Sequence, residues 1–151
     1  MADVTGKEEV FREAMASGRI RLKPQTVALI KEGKIAKGDP LVTAEVAAVM
    51  AAKNTSHIIP LCHPIPVTSV SLTSKINFDS VEVEAKVKTT ARTGVEMEAL
   101  VAASVYLLTL WDMVKKYEKD EEGQYPTTLI ERIKVERKVR GERFERNLHE
   151  A

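Results

Sequence analysis

Cysteine is almost absent from this sequence, and long apolar runs are missing. Cys62 is the single cysteine among 151 residues, so no disulfide can form within the chain and the fold is predicted not to depend on an oxidising compartment. The longest uncharged, mostly apolar run is 99–111, which is shorter than the roughly 20 residues that a membrane-spanning helix needs. The first twenty residues are charged and contain no apolar signal-peptide core. These absences predict a soluble, cytoplasmic protein.

Net charge and aromatic residues are also scarce. The 23 Lys and Arg nearly balance the 22 Asp and Glu, which gives a formal net charge of +1. This balance argues against a dedicated nucleic-acid coat, because such domains are usually strongly basic. Basic residues are concentrated only in 132–146. Such a run is most often a solvated strand face with a frayed tail, and phosphate binding is the alternative.

Hydrophobic patterns predict one domain over 1–151, with 139–151 as a frayed basic tail. Alternating small or apolar residues predict four strands, over 14–22, 69–78, 81–88 and 133–139. Three helices are predicted, over 24–33, 40–53 and 94–117. If the first two helices count as one doubled element, this order is the split β-α-β arrangement of a ferredoxin-like α+β fold, with an antiparallel sheet packed on helices.

Finer patterns predict which side chains are buried. The second helix is expected to bury the stripe Val42, Val46, Val49 and Met50. In the strand over 69–78, one face is expected to carry Val70, Leu72, Ile76 and Phe78. In the strand over 133–139, one face is expected to carry Ile133, Val135 and Val139. The segment 93–96 fits a capping box, which accounts for Glu96 without a function. The long helix is apolar almost all round over 99–111, so the sheet is expected to cover one side and a second subunit another.

Cys62 and His63 lie in the proline-flanked segment 60–66, which cannot be helical. Neighbouring residues of an extended segment point to opposite sides, so the two side chains are not placed to activate each other. No second cysteine or close histidine gives zinc-ligand spacing, and no metal site is predicted. The plainer interpretation is a packed thiol and a histidine bonded to the loop. The functional one is a rigid loop that presents its backbone and imidazole to a ligand.

Two carboxylates on the long helix are candidates. Glu98 lies near the helix N-terminus, where the dipole favours an anion, and it can also accept two parallel N–H donors of a guanine or pterin edge. Asp112 and Lys115 share a helix face, either as a common surface ion pair or as a proton-transfer pair if Asp112 is partly buried after Trp111. Because Glu98 and Asp112 lie about 21 Å apart along a helix, a site that uses both would join two subunits.

Several cations can hold an anion. Lys37 precedes a helix start, where backbone N–H groups can bind phosphate, although the segment is not a Walker motif. Arg12, Lys53 and Lys138 are further candidates. Each of these three alone is more often a solvated charge.

Six segments together resemble the molybdenum cofactor biosynthesis protein C family, whose members are cyclic pyranopterin monophosphate synthases. They are 37–39, 51–53, 59–64 with Leu-Cys-His-Pro, 93–100 with Gly-Val-Glu-Met-Glu, 102–104 and 112–115. The resemblance covers roughly 3–120. It implies a ferredoxin-like homohexamer, built as a trimer of dimers with active sites at the dimer interface.

The resemblance also implies a reaction and a set of site residues. The reaction converts (8S)-3′,8-cyclo-7,8-dihydroguanosine 5′-triphosphate to cyclic pyranopterin monophosphate and pyrophosphate, as a lyase with no required cofactor, and Mg²⁺ can accompany the triphosphate. The implied catalytic residues are Asp112, Lys115 and Lys37. The implied substrate-binding residues are Leu61, Cys62, His63, Met97, Glu98, Arg12 and Lys53. The family implies no nucleic-acid or membrane partner.

The chain departs from the family after Asp120. Many members have a Gly-rich segment with a lysine there, and Lys138 is a loosely aligned candidate for that lysine, outside the site set. Two other hypotheses remain. One is an RNA-recognition module, which would need aromatic residues on the open sheet face, where none is expected. The other is a structural protein in which Asp112 and Lys115 form a plain ion pair.

Overall fold

The computed structural model describes residues 1–141. Its strands are β1 (Val10–Arg21), β2 (Val67–Ile76), β3 (Ser80–Ala91) and β4 (Leu129–Arg140). Its helices are α1 (Pro24–Lys31), α2 (Pro40–Lys53), α3 (Thr55–Ile58) and α4 (Glu96–Glu118). Within this range only the one-turn helix α3 has no counterpart in the sequence prediction. β4 includes Val139 and Arg140, which were expected in the tail, and the rest of that tail, 142–151, lies outside the described residues.

The four strands form one antiparallel sheet in the order β2-β3-β1-β4. This order, with helices on one face, confirms the predicted ferredoxin-like α+β fold. α4 lies across the sheet and α2 packs beside it. On β1, Ala14, Ala16 and Ile20 alternate toward the helices and are buried. Gly18 continues this face, and because a Cβ there would lie 2.8 Å from Leu107 Cδ1, glycine lets α4 approach the sheet closely.

The stripe predicted for α2 is wrong. Val42, Val46 and Met50 are 57–59% exposed, and Val49 is half-buried. The buried residues of α2 are Pro40, Ala44, Ala48, Ala51 and Ala52. Alanines of α4 join the same core, and the distance between two helix axes depends on the side chains at the contact. Small residues therefore bring the two helices together and leave the larger side chains of α2 outside.

The strand faces differ from the prediction at two residues. Phe78 lies in the turn after β2 and is exposed, so it does not share a face with the strand residues. In β4, irregularities interrupt the pairing with β1. Val139 lies opposite Glu13 on the open face, and Lys138 lies opposite the buried Ala14 on the helix side. A bulge turns the side chains that follow it to the other face, so simple alternation fails there.

α4 begins at Glu96 without a capping box. Its N-cap is Val95, and no side chain caps the first turn. Glu96 is therefore the first helical residue. A capping box requires the glutamate at the third helical position, from which its side chain bonds to the N-cap amide. It forms an ion pair with Lys138 instead, at 3.1 Å.

α4 is long and apolar enough to cross a membrane by length and composition alone, since its hydropathy averages 1.5 over the most apolar window. Half of that window is buried inside the protein. Its buried residues include Leu107, Leu110 and Val114, which belong to the core cluster. This burial is typical of the core helix of a soluble domain.

Candidate active site

Two lysines meet one carboxylate near the C-terminal end of α4. Lys37 Nζ lies 3.3 Å from Asp112 Oδ2, and Lys115 Nζ lies 3.1 Å from Asp112 Oδ1. Lys37 Nζ also donates to the Asp112 carbonyl oxygen at 3.0 Å. The hydrogen bond from Lys115 and then that from Lys37 hold the pKa of Asp112 below its ordinary value. The cluster therefore keeps a carboxylate between two ammonium groups, with an excess of positive charge.

The expected partial burial of Asp112 is wrong, because its side chain is 61% exposed. Leu110, Met113 and Val114 turn toward the core. At 100° per residue, position 112 then falls on the outer side of the helix. The carboxylate and both ammonium groups are thus accessible to a ligand from solvent.

The loop between α1 and α2 carries Lys37 to this cluster. Buried Ile35 anchors the loop, the Ala36 N–H donates to Tyr117 Oη at 2.8 Å, and Gly38 has a φ of +113°, which favours glycine. Asp39 Oδ1 then accepts from the first amides of α2. A carboxylate therefore occupies those amides, and Lys37 contacts Asp112. Phosphate binding at this helix start stays a prediction.

A buried carboxylate fixes the end of α4 that carries Asp112 and Lys115. Glu118 is fully buried, and it accepts from the Lys23 N–H at 3.1 Å, from Thr128 Oγ1 at 2.7 Å and from Thr26 Oγ1. These donors tie α4 to the start of α1 and to the segment before β4. Such a satisfied buried network is rigid, so it holds the catalytic candidates in place.

A second group of candidates surrounds the first turn of α4. Glu98 is only 2% exposed, and its Oε2 has no hydrogen-bond partner among residues 1–141. Cys62 Sγ donates to Glu98 Oε1 at 3.7 Å. Burial raises the pKa of Glu98, and burial followed by the charge of Glu98 raises the pKa of Cys62. The thiol is thus a hydrogen-bond donor to Glu98, and Glu98 Oε2 is left without a partner among residues 1–141.

Glu98→Gln is expected to stabilise the fold by about 1 kcal/mol near pH 7, because it removes a buried charge with an unpaired oxygen. The pKa of Glu98 is raised in the folded chain, so the parent loses stability as pH rises through that value, while the variant does not. The gain should therefore be larger at about pH 8 than at about pH 4, as measured by urea unfolding. Glu84→Gln, at an exposed position, is the matched control, and a gain independent of pH would contradict the assignment.

His63 and Lys53 line the same cavity as Glu98, of about 270 Å³. His63 Nε2 lies 2.7 Å from the Ala2 carbonyl oxygen. Leu61, beside Cys62, and Met97, beside Glu98, are exposed and do not line this cavity. Within residues 1–141, no three His, Cys, Asp or Glu side chains converge as metal ligands do. The absence of a required cofactor stays a prediction.

Arg12 lies in a neighbouring cavity of about 240 Å³, on the other side of the α4 N-terminus. Its guanidinium donates to the Ala91 and Arg92 carbonyl oxygens, both at 3.3 Å. Lys138 and Arg140 line this cavity too. The β4 bulge turns Lys138 to the helix side, where it lines this cavity. Arg140 was not among the predicted site residues. Its only sequence signal is the basic run itself.

The predicted site residues thus form two separate groups in one chain. The catalytic candidates meet at one end of α4, and the substrate-binding candidates lie around its other end. Glu98 and Asp112 are fourteen residues apart in the helix, a distance of about 21 Å. The predicted separation along one helix is confirmed, and no single small ligand would contact both groups comfortably.

An aromatic groove beside the catalytic cluster was not predicted. Trp111 and Tyr125 pack edge to face, with ring centroids 5.2 Å apart. With Leu108 and Ile130 they border an open cavity of about 410 Å³ that Asp112 and Lys115 also line. The lone tryptophan directly before Asp112 is the signal in the sequence that points to this groove.

The open face of the sheet offers little for base stacking. Polar residues such as Ser17, Thr73 and Glu84 lie side by side across it. Phe11 corrects the prediction that no aromatic lies there, since alternation from buried Ala14 places it on the open face at the end of β1. RNA-recognition sheets stack two or three bases on aromatic rings, and the described residues place one ring there.

Comparison with known proteins gives a consistent result. The model of the MoaC family matches residues 1–141. A relative from Pyrococcus furiosus is 54% identical over 143 residues, which is 95% of this chain and 92% of the relative. One from Aeropyrum pernix is 55% identical (93% and 97% covered), and one from Saccharolobus solfataricus is 53% identical (93% and 94% covered). All three bear the name "Probable cyclic pyranopterin monophosphate synthase".

Proposed function

Since the chain belongs to the MoaC family, we propose that it is a cyclic pyranopterin monophosphate synthase of molybdenum cofactor biosynthesis. Its substrate is (8S)-3′,8-cyclo-7,8-dihydroguanosine 5′-triphosphate. In the reaction the bond between the α-phosphorus and the oxygen that bridges to the β-phosphate breaks, and pyrophosphate leaves. A bond between the α-phosphorus and a sugar oxygen forms, which closes the cyclic phosphate. The guanine portion rearranges to the pterin with no net oxidation or reduction. Mg²⁺ bound to the triphosphate enters as part of the substrate, and the enzyme works in the cytoplasm.

The observation that carries this proposal is the contact of Lys37 and Lys115 with Asp112. Opening and closing the rings requires proton transfers, for which a carboxylate and an ammonium in contact supply a base and an acid. The departing pyrophosphate develops negative charge, which two ammonium groups at fixed positions stabilise. The lowered pKa of Asp112 keeps it a carboxylate near neutral pH and makes it a weak base.

The site is completed by a second copy of the chain. The Glu98 cavity and the Arg12 cavity of one copy hold the base and phosphate ends of the substrate, and the partner copy supplies the catalytic lysines and the aspartate. The 21 Å separation within one chain supports this arrangement. Exposed apolar side chains also support it, because Val42, Val46 and Met50 on α2 and Leu108 on α4 form surfaces of the kind that a partner covers. The assembly we propose is a homohexamer built as a trimer of dimers.

A direct assay tests the function. The purified chain is incubated with the cyclised triphosphate, and the pterin product is followed by liquid chromatography with mass spectrometry, with pyrophosphate measured separately. Product and pyrophosphate are expected in equal amounts. GTP is the matched control, since it lacks the bond between the sugar and C8. No product from the cyclised substrate, or equal pyrophosphate release from GTP, would refute the proposal.

A further inference from the structure

The N-terminal segment of the chain reaches the substrate-binding loop. Residues 1–7, called here the strap, are mostly exposed. Asp3 Oδ1 accepts from the Thr5 N–H at 2.9 Å and from Thr5 Oγ1 at 2.6 Å, and the Lys7 N–H donates to the Val4 carbonyl oxygen at 3.0 Å. These bonds form a local turn, which limits the conformations of the strap.

The strap bonds to one ring nitrogen of His63. Nε2 lies 2.7 Å from the Ala2 carbonyl oxygen, across 61 residues of sequence. A carbonyl oxygen only accepts, so Nε2 must carry the hydrogen. A neutral imidazole has one N–H, and its second nitrogen is then an acceptor. The bond to Ala2 therefore leaves Nδ1 of neutral His63 as a lone-pair acceptor.

The residues around His63 indicate what its Nδ1 acceptor can bind. His63 lines the cavity that also contains Glu98 and Lys53, and no hydrogen bond to Nδ1 is found within residues 1–141. Glu98 Oε2 lines the same region with no partner there either. A buried polar atom is normally paired, so Glu98 Oε2 matches a ligand that brings N–H or O–H donors. Nδ1 of the half-buried His63 is a second acceptor on the lining of the same cavity.

We propose that the strap is a positioning element: the Ala2 carbonyl holds His63 in the Nε2–H form, and Nδ1 then accepts a hydrogen bond from the substrate in the Glu98 cavity. The identity of that substrate rests on the proposed function, whereas the form of the imidazole does not. No proton moves in this step, because His63 receives a hydrogen bond from the ligand and keeps its own hydrogen on Nε2. Orienting a ring through its second nitrogen is a common way to fix which nitrogen faces a ligand.

Nitrogen-15 NMR of the histidine rings tests the first part. In the full chain at a pH where imidazoles are neutral, His63 is expected to show a protonated Nε2 and an unprotonated Nδ1. Deleting residues 2–6 should let the two forms exchange, so that the two nitrogen shifts move toward each other. The exposed His57 is the internal control, with shifts that do not change. If the full chain carries the hydrogen on Nδ1, or if the deletion leaves the His63 shifts unchanged, the proposal is wrong.

Steady-state kinetics tests the second part. A lost hydrogen bond that is equal in ground and transition state raises KM and leaves kcat unchanged, so the deletion should raise KM about tenfold. Asp3→Ala, which removes only the acceptor of the two Thr5 hydrogen bonds, should also raise KM. This variant replaces the deletion in the test if the deletion unfolds the chain. Glu9→Ala, beside the strap, should have no effect. An unchanged KM in a variant whose His63 shifts have moved would overturn the substrate contact. Absence of turnover in the full chain would refute the proposed function. The NMR result alone would then decide whether the strap holds His63 in the Nε2–H form.

Discussion

Asp112→Asn is expected to lower kcat/KM for the pterin product by about 10²–10⁴-fold, the range that removal of a general acid or base typically costs. Asparagine has the same shape but cannot accept a proton, and it leaves two ammonium groups facing each other without the carboxylate that holds them at 3.1–3.3 Å. The loss should fall mainly on kcat, because the reacting geometry is affected more than the binding of the base. Steady-state kinetics with the cyclised triphosphate provides the measurement.

Glu131→Gln is the matched control for this substitution. Glu131 also lies between two cations, with Arg19 at 2.6 Å and Arg21 at 3.5 Å, although it is half-buried where Asp112 is exposed. Its pKa is also lowered, chiefly by the hydrogen bond from Arg19. Exposed ion pairs contribute little to stability, so Asp112→Asn should melt near the parent temperature. Of the two variants, only Asp112→Asn should lose activity. A fully active Asp112→Asn variant would remove the acid–base assignment, and equal losses in both variants would point to a general charge effect.

Local sequence signals were sufficient for most of the fold and for the pairing of Asp112 with Lys115. Proline at a first helical position predicts α2, and strict alternation predicts β3, because these signals act within a few residues. Asp112 and Lys115 share a face by helix geometry alone. Lys37 is different, since its contact with Asp112 spans 75 residues. The family resemblance implied that Lys37 belongs to the same set of catalytic residues as Asp112 and Lys115, and residue spacing did not.

Several incorrect predictions involve contacts between distant elements. Hydrophobicity ranked Val42 and Val46 above Ala44 for burial, yet α4 is close enough to α2 that small residues face it. Glu96 matched a capping box in isolation, but the true helix start and the bulge that brings Lys138 beside it decide its contact. The bond between His63 and Ala2 has no local pattern at all. Local sequence therefore predicts which elements form, and packing decides which residues they present.

Mixing two inactive variants is expected to restore activity, from nearly none to about a quarter of the parent level. If each site combines the Glu98 end of one copy with the Asp112 end of its partner, a dimer of Glu98→Gln with Asp112→Asn has one site with both changes and one with neither. Random exchange makes about half of the dimers mixed, and half of their sites are intact. Activity is measured after subunit exchange has been verified by native mass spectrometry, with one variant labelled with nitrogen-15, because the two variants have the same mass without a label.

The control mixture pairs Asp112→Asn with Lys115→Ala, which lie at the same end of α4 and contact each other at 3.1 Å in the parent chain. In that mixed dimer every site contains one of the two changes, so no recovery is expected. Recovery in the first mixture alone requires that Glu98 and Asp112 act from different copies. If neither mixture recovers after complete exchange, each site lies within one chain, and the 21 Å between its two groups would have to be spanned by substrate and side chains together. If both recover, Asp112 and Lys115 serve different sites, which contradicts the catalytic pair.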